Sequence, residues 1–285
     1  MNINKIYSLD DIETTYEQVY DLLVTRDIIK NYSTNKFDIR GIALSGLDLM
    51  NVKNILELGC GYGFFIGALE RRISPLAKFT GIDVVDNNRE AYLNTIASMN
   101  YEGKFIKGDA KQISTYPDSS FDMIIASYSL YFFPHLIPEI SRLLKNGGLF
   151  ITITHTRESL SEAIKLIVAA MKEVGINVEG DMKITRLFDS FSSENGRAML
   201  KPHFKKVESL EYENKLVFSH ENINDCVYYI EKKKNLIYKE LLDINADHKK
   251  ITLFKEKAYQ MIVEYSEKNN GISLNKNDMV FRAWK

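Results

Sequence analysis

Glu57, Gly59, Gly61 and Gly63 fall in one short run, ELGCGYG. Glycines at alternate positions let a backbone turn tightly and approach a bound molecule, and a helix following them offers unpaired N–H groups. A dinucleotide fingerprint calls for a further glycine at position 64, where this chain has Phe64. A loop of this form, with an acid two residues before its first glycine, suits a ligand without a pyrophosphate. Taken alone, it is also compatible with a plain tight turn. Asp83 lies twenty residues beyond Gly63, in the run GIDV. A carboxylate there can accept both hydroxyls of a ribose while Val84 packs on a base; by itself Asp83 reads equally as a helix cap. Asp109, in Gly108-Asp109-Ala110, either accepts from the exocyclic amine of a base or forms a turn. His135 and His155 each follow an apolar run. Each is a candidate general base for a hydroxyl or protonated amine, or an ordinary surface or hydrogen-bonded histidine.

The elements that must position these groups alternate in type. Apolar runs at 54–58, 79–84, 104–107, 121–127 and 149–154 are separated by helical patterns, the first through Phe64, Phe65, Ala68 and Leu69, then at 90–99 and 137–144. Five such runs predict a parallel sheet covered on both faces, with loops at the strand C-termini along one ligand-binding edge. Residues 1–50 are predicted helical, with Ser8 and Asp11 as an Asp version of a capping box and Leu9, Ile12, Tyr16, Val19, Tyr20 and Leu23 on one face. Residues 160–174 read as an amphipathic helix, 204–216 and 278–284 as late strands, and 222–242 and 247–268 as helices between them.

The 285 residues carry 37 Lys+Arg against 38 Asp+Glu, a formal net charge of -1. That balance argues against a protein that grips nucleic acid by bulk charge. Lys232, Lys233 and Lys234 are a local basic cluster among mixed charges, read first as a solvated face. Two cysteines, Cys60 and Cys226, supply neither a disulfide framework nor an ordinary four-cysteine metal site, so no metal and a cytoplasmic location are expected. The acidic residues near the N-terminus interrupt any signal-peptide core, and no run is long enough for a comfortable membrane span.

Taken in order, ILELGCGYG, GIDV, KGDA, FDMIIASYSLYF and RLLKNGGLFITIT resemble the class I S-adenosylmethionine-dependent methyltransferases, in the branch acting mostly on small molecules. The resemblance covers about residues 50–155. It implies a doubly wound, Rossmann-like, seven-stranded and mostly parallel α/β sheet. By resemblance, Glu57, Gly59 and Gly61 cradle the methionine part of S-adenosylmethionine, with Cys60 in the same loop; Asp83 holds the ribose and Val84 flanks the adenine. Asp109 and Ala110 meet the adenine edge, and Ser127 lies near the methionine amine. Two positions depart from the pattern: Asn146 replaces a usual proline in the turn before the fifth strand, and Tyr131 stands where this branch frequently has histidine. The latter makes a histidine mechanism taken from relatives unsafe. The family's last two strands form a hairpin, so residues 220–268 become a helical insertion, placed to cover the site together with an N-terminal helical lid over 1–50; the domain itself spans 51–285.

Aromatic faces suit a cationic sulfonium, which makes Tyr16, Tyr20, Tyr128 and Tyr131 candidate pocket residues. The expected function is O- or N-methylation of a small molecule. The alternatives are an RNA or protein methyltransferase, for which the lysine cluster is the hint, and a non-catalytic S-adenosylmethionine-binding module. The chain has neither an Asn-Pro-Pro-Tyr run nor a Pro-Cys nucleophile of the nucleic-acid enzymes.

Overall fold

β-Branched and aliphatic residues in short apolar runs form the five parallel strands: β1 (Asn54–Leu58), β2 (Lys78–Asp83), β3 (Glu102–Lys107), β4 (Phe121–Ser127) and β5 (Leu144–His155). The computed structural model describes residues 6–244 and 247–285. Residues 1–5 of the expected N-terminal helical segment and 245–246 of the expected insertion lie outside the described residues. Four later strands follow: β6 (Lys206–Tyr212), β7 (Lys215–Phe218), β8 (Ile272–Asn275) and β9 (Asp278–Trp284). Seven of the strands make one sheet in the order β3-β2-β1-β4-β5-β9-β6, with β9 antiparallel to both β5 and β6. Strand order reverses between β1 and β4, and a crevice outside the C-terminal ends of the strands opens at such a switch point.

Successive residues feed opposite faces, as a period of two requires. Leu56, Leu58, Ile124, Phe150 and Phe281 enter one buried cluster; Ile55, Met123, Ile125, Ile151 and Val280 enter the other. The sheet is therefore buried on both sides.

Helices cover those faces. At the N-terminus stand α1 (Leu9–Tyr16), α2 (Val19–Tyr32) and α3 (Ile39–Leu44). The capping box of α1 is complete: Asp11 N–H donates to Ser8 Oγ at 3.1 Å, and Ser8 N–H donates to Asp11 Oδ2 at 2.8 Å. Through the middle run α4 (Arg89–Ser98), α5 (Ile137–Leu143), α6 (Ser161–Glu173), α7 (Lys183–Ser190) and α8 (Gly196–Leu200); between β7 and β8 run α9 (Ile223–Glu231), α10 (Lys234–Ile237), α11 (Lys239–Asp243) and α12 (His248–Asn269).

Three expectations change. The pattern through Phe64 to Leu69 forms only a 3-10 turn, Ile66–Leu69; Gly63 and Gly67 are weak helix formers at that point. The helix expected over 222–242 is three short helices. The strand expected over 204–216 breaks at Glu213 and Asn214, and its partner breaks at Lys276 and Asn277. Asn214 N–H donates to Asn277 Oδ1 at 2.7 Å and Lys276 N–H to Asn214 O at 3.1 Å, so the breaks face each other. The late hairpin is thus kinked, with β6–β9 below the kink and an antiparallel β7–β8 ribbon above it.

The N-terminal helices pack on the insertion. Tyr7 Oη donates to Leu236 O at 2.7 Å, Lys239 Nζ to Asp11 at 2.8 Å, and Lys232 pairs with Asp21 at 2.7 Å. Asn87 Nδ2 donates to Glu17 O at 3.1 Å, tying the same segment back to the strand edge. No helix among the described residues is long and apolar enough to cross a membrane.

Candidate active site

The turn after β1 is stitched onto β2. Gly59 N–H donates to Ile82 O at 2.8 Å, and Gly61 N–H donates to Asp83 Oδ2 at 2.7 Å. Gly59 has φ 64°, and a Cβ there would lie 2.5 Å from Ser129 Cβ, so only glycine fits without displacement. Asp83 Oδ1 accepts from Val85 N–H at 2.8 Å. Asp83 therefore fixes the loop as well as facing the cavity, and burial raises its carboxyl above the usual range against these backbone hydrogen bonds. The Cys60 side chain is buried, and burial with the nearby Asp83 and Glu57 carboxyls pushes its thiol well up; it is a packed, protonated thiol.

A cavity of about 370 Å³ opens beside this loop. Its wall includes Glu57, Gly59, Cys60, Gly61, Asp83, Val84, Asp109, Ala110, Ser127, Tyr16, Tyr128 and Tyr131, together with both candidate histidines. Tyr20 is not in the wall: α1 ends at Tyr16, the chain breaks before α2, and Tyr20 turns outward at 71% exposure. Its expected place in the pocket is corrected on that ground. Asp109 accepts from Lys111 N–H at 2.9 Å, capping the 3-10 turn Ala110–Thr115, so the turn-forming reading applies to it whatever else it touches.

Several polar atoms on the wall have no partner. Glu57 Oε2, Ser127 Oγ, Asn88 Oδ1 and Ser159 Oγ are buried without a hydrogen bond among the described residues, and all four residues line the cavity. Buried polar groups are normally paired, so this wall is built for a polar ligand. Burial, reinforced by Asp83, raises the Glu57 carboxyl well above its ordinary value; a bound ammonium would supply the partner that Oε2 lacks. The oriented loop, Asp83 and these orphaned groups suit a nucleoside bearing an amino-acid tail.

The two histidines differ. His135 is exposed at the rim, where burial and Lys111 lower its pKa against the pull of Asp109. His155 is enclosed: its Nδ1 lies 2.7 Å from Asp278 Oδ1, and its ring packs 4.8 Å from Tyr128 and 4.9 Å from Phe188. Tyr128 Oη donates to Asp278 Oδ2 at 2.7 Å, and Lys276 Nζ donates to both Asp278 oxygens at 3.1 and 2.9 Å. Burial alone would raise Asp278, but Lys276, His155 and Tyr128 hold it below the carboxylate range. Burial and Lys276 hold His155 at about 4, so the ring is neutral near pH 7. Nδ1 faces Asp278 Oδ1 and, at 3.3 Å, Lys276 Nζ; in the tautomer that donates Nδ1–H to the Asp278 carboxylate, the lone pair is on Nε2.

Sequence reasoning missed Lys276, Asp278 and Lys233. The first two sit at the hairpin kink, Lys276 before the strand expected over 278–284 and Asp278 at its first residue. The lysine cluster is divided: Lys232 pairs with Asp21, Lys233 lines the cavity and Lys234 is exposed. Among the described residues, no group of three or more His, Cys, Asp or Glu side chains could hold a metal ion.

Residues 56–152 match a family model described as a methyltransferase domain. This segment belongs to the class I S-adenosylmethionine-dependent methyltransferase family. The chain is 32% identical over 104 residues to a fatty-acid O-methyltransferase of Mycolicibacterium smegmatis, covering 35% of this chain and 36% of that protein. It is 31% identical over 108 residues to a demethylmenaquinone methyltransferase of Staphylococcus aureus, covering 37% and 44% respectively. The chain thus spans well under half the length of these curated relatives. Among solved structures, the YcgJ protein of Bacillus subtilis aligns with TM-score 0.53 at 14% identity, over 86% of this chain and 97% of that one. A phosphoethanolamine N-methyltransferase 2 of Haemonchus contortus aligns with TM-score 0.52 at 14% identity, over 96% and 59%. Both likenesses show the fold: the Rossmann-like methyltransferase sheet extends well beyond the segment that matches in sequence.

Proposed function

We propose that the chain is an S-adenosylmethionine-dependent methyltransferase acting on a small molecule at an oxygen or nitrogen. The observation that carries this reading is that one cavity joins the glycine loop and Asp83 to the buried His155–Asp278 pair. S-adenosylmethionine, when bound, supplies an electrophilic methyl group on a sulfonium. Glu57, Gly59, Gly61 and Ser127 would hold its amino-acid part, Asp83 the ribose, and Val84, Asp109 and Ala110 the adenine. Tyr16, Tyr128 and Tyr131 line the same cavity, and an aromatic wall suits a cation. His155 Nε2 accepts the acceptor's proton, and Asp278 keeps the ring in the tautomer that makes this possible. His135, exposed at the rim, is given no part in the proton transfer.

The small-molecule assignment follows from enclosure. The N-terminal helices and α9–α11 close together over the strand ends, as a lid that excludes water and holds the reacting groups in line. The relatives named above, a fatty-acid O-methyltransferase and a demethylmenaquinone methyltransferase, point the same way. Incubation with methyl-labelled S-adenosylmethionine and a small-molecule extract should place label in a small product. Label confined to RNA or protein would overturn the substrate class.

A further inference from the structure

The cations on the cavity wall differ in one respect. Arg26 pairs with Asp27 at 3.0 Å, Lys111 faces Asp109 at 3.7 Å, and Lys276 is held by Asp278 at 2.9 Å. Lys233 lines the same cavity, and among the described residues it has neither an ion pair nor a hydrogen-bond partner for its ammonium. Its Nζ lies over the Tyr229 ring, 5.4 Å from the centroid. Burial and the Lys276 ammonium push Lys233 down to about 8, so it still carries its proton near pH 7.

The charges at this end of the cavity do not balance. Lys233 and Lys276 contribute two positive charges, Asp278 one negative, and His155 is neutral, which leaves a single uncompensated positive charge. Lys233 is half-buried, and an unpaired charge in that setting is costly, a cost that falls when a counter-ion arrives. The surrounding wall is apolar: Ile184, Phe188, Tyr229, Leu236 and Ile237 all line it.

We infer that Lys233 receives the acidic group of the methyl acceptor, and that the acceptor is an apolar organic acid bearing a single carboxylate. The inference rests on the reading of this cavity as the acceptor site. A carboxylate is favoured over a phosphate because one negative charge balances these side chains once methyl transfer has discharged the sulfonium, whereas a phosphate dianion would then exceed it. The apolar wall takes the body of the acid, and the carboxylate on Lys233 fixes its orientation relative to His155.

The test uses three probes with the same eight-carbon chain: octanoate, octyl phosphate and 1-octanol. Each is titrated calorimetrically into the wild type and into Lys233→Met and Lys233→Arg, with S-adenosylhomocysteine titrated in parallel. Octanoate should bind the wild type more tightly than the other two. Lys233→Met should weaken octanoate at least tenfold and leave 1-octanol unchanged, and Lys233→Arg should restore most of the loss. Because Lys233→Met removes an unpaired, half-buried charge, its Tm should not fall, and octanoate should raise the Tm of the wild type but not of this variant. Equal octanoate affinity in the wild type and Lys233→Met overturns the inference. So does failure of octanoate to bind, and tighter binding of octyl phosphate overturns the carboxylate assignment. S-adenosylhomocysteine separates the two readings. If it fails to bind while Lys233-dependent octanoate binding persists, the methyltransferase reading falls and the acid site stands.

Discussion

His155 and Asp278 are 123 residues apart in the chain, yet they stand opposite each other in the β5–β9 ladder with Nδ1 2.7 Å from Oδ1. The antiparallel register places the last residue of β5 against the first of β9, on the edge where the strand-end loops gather. Tyr128, in a left-handed conformation at φ 55°, reaches the same carboxylate from the end of β4. Three strand ends thus converge on Asp278, and the imidazole's orientation depends on it.

Asp278→Asn should therefore lower kcat on the acceptor found by the labelling screen by about 10²-fold, the lower end of what a positioned proton acceptor contributes. S-adenosylmethionine affinity should change little, because the side chains that hydrogen-bond Asp278, Tyr128, His155 and Lys276, all lie outside the glycine loop. Loss of the carboxylate also strands Lys276, so Tm should fall. The double variant Lys276→Met/Asp278→Asn should recover Tm without recovering kcat. A recovery of kcat in the double variant would assign Asp278 a structural role only.

Gly59→Ala tests the loop. The added Cβ would strain a left-handed residue and strike Ser129, whose Oγ donates to Leu58 O at 2.6 Å. A destabilisation of about 1–3 kcal/mol is expected by denaturant titration, with loss of cofactor binding measured on the folded fraction. Unchanged affinity would show that the turn does not approach the ligand.

The pH dependence of stability has opposing contributions. His155 is held at about 4 against an ordinary 6.5, so between these values the unfolded chain binds a proton that the native chain does not. Its contribution is present above pH 6.5 and is lost as pH falls toward 4. Asp278, also lowered, adds a further loss below the ordinary carboxylate range. Glu57 and Asp83 are raised by burial and act in the other direction. The comparison of wild type with His155→Gln isolates the histidine: the wild type's stability relative to the variant should decline as pH drops from 6.5 to 4. A difference that stays flat across that window would contradict the buried neutral ring.

The five parallel strands were legible because each holds a short apolar run, and these runs close at Gly59, Asp83, Gly108, Ser127 and His155. The groups after β1, β2, β3 and β4 were legible for the same reason, since residues at the ends of parallel strands share one edge. Tyr20 was misplaced because a helical period was carried through residues 17–18, where the chain breaks between α1 and α2. Lys276 and Asp278 were invisible for a different reason. Their position depends on the kink opposite Asn214 and on antiparallel register across 123 residues, and neither leaves a local pattern. Lys233 was counted with its neighbours as surface charge, although the junction of α9 and α10 directs the three lysines to different surroundings.

The central claim is that the cavity beside the glycine loop holds S-adenosylmethionine, and calorimetric titration of that compound into the wild type and Asp83→Ala tests it most directly. Hydrogen bonds to a charged group contribute about 1.5–3 kcal/mol, roughly a 10- to 100-fold change in affinity. The wild type should give a saturable one-site isotherm, and folded Asp83→Ala should bind at least tenfold more weakly. Absence of saturable heat with the wild type, or equal affinity in the two proteins, would contradict the account.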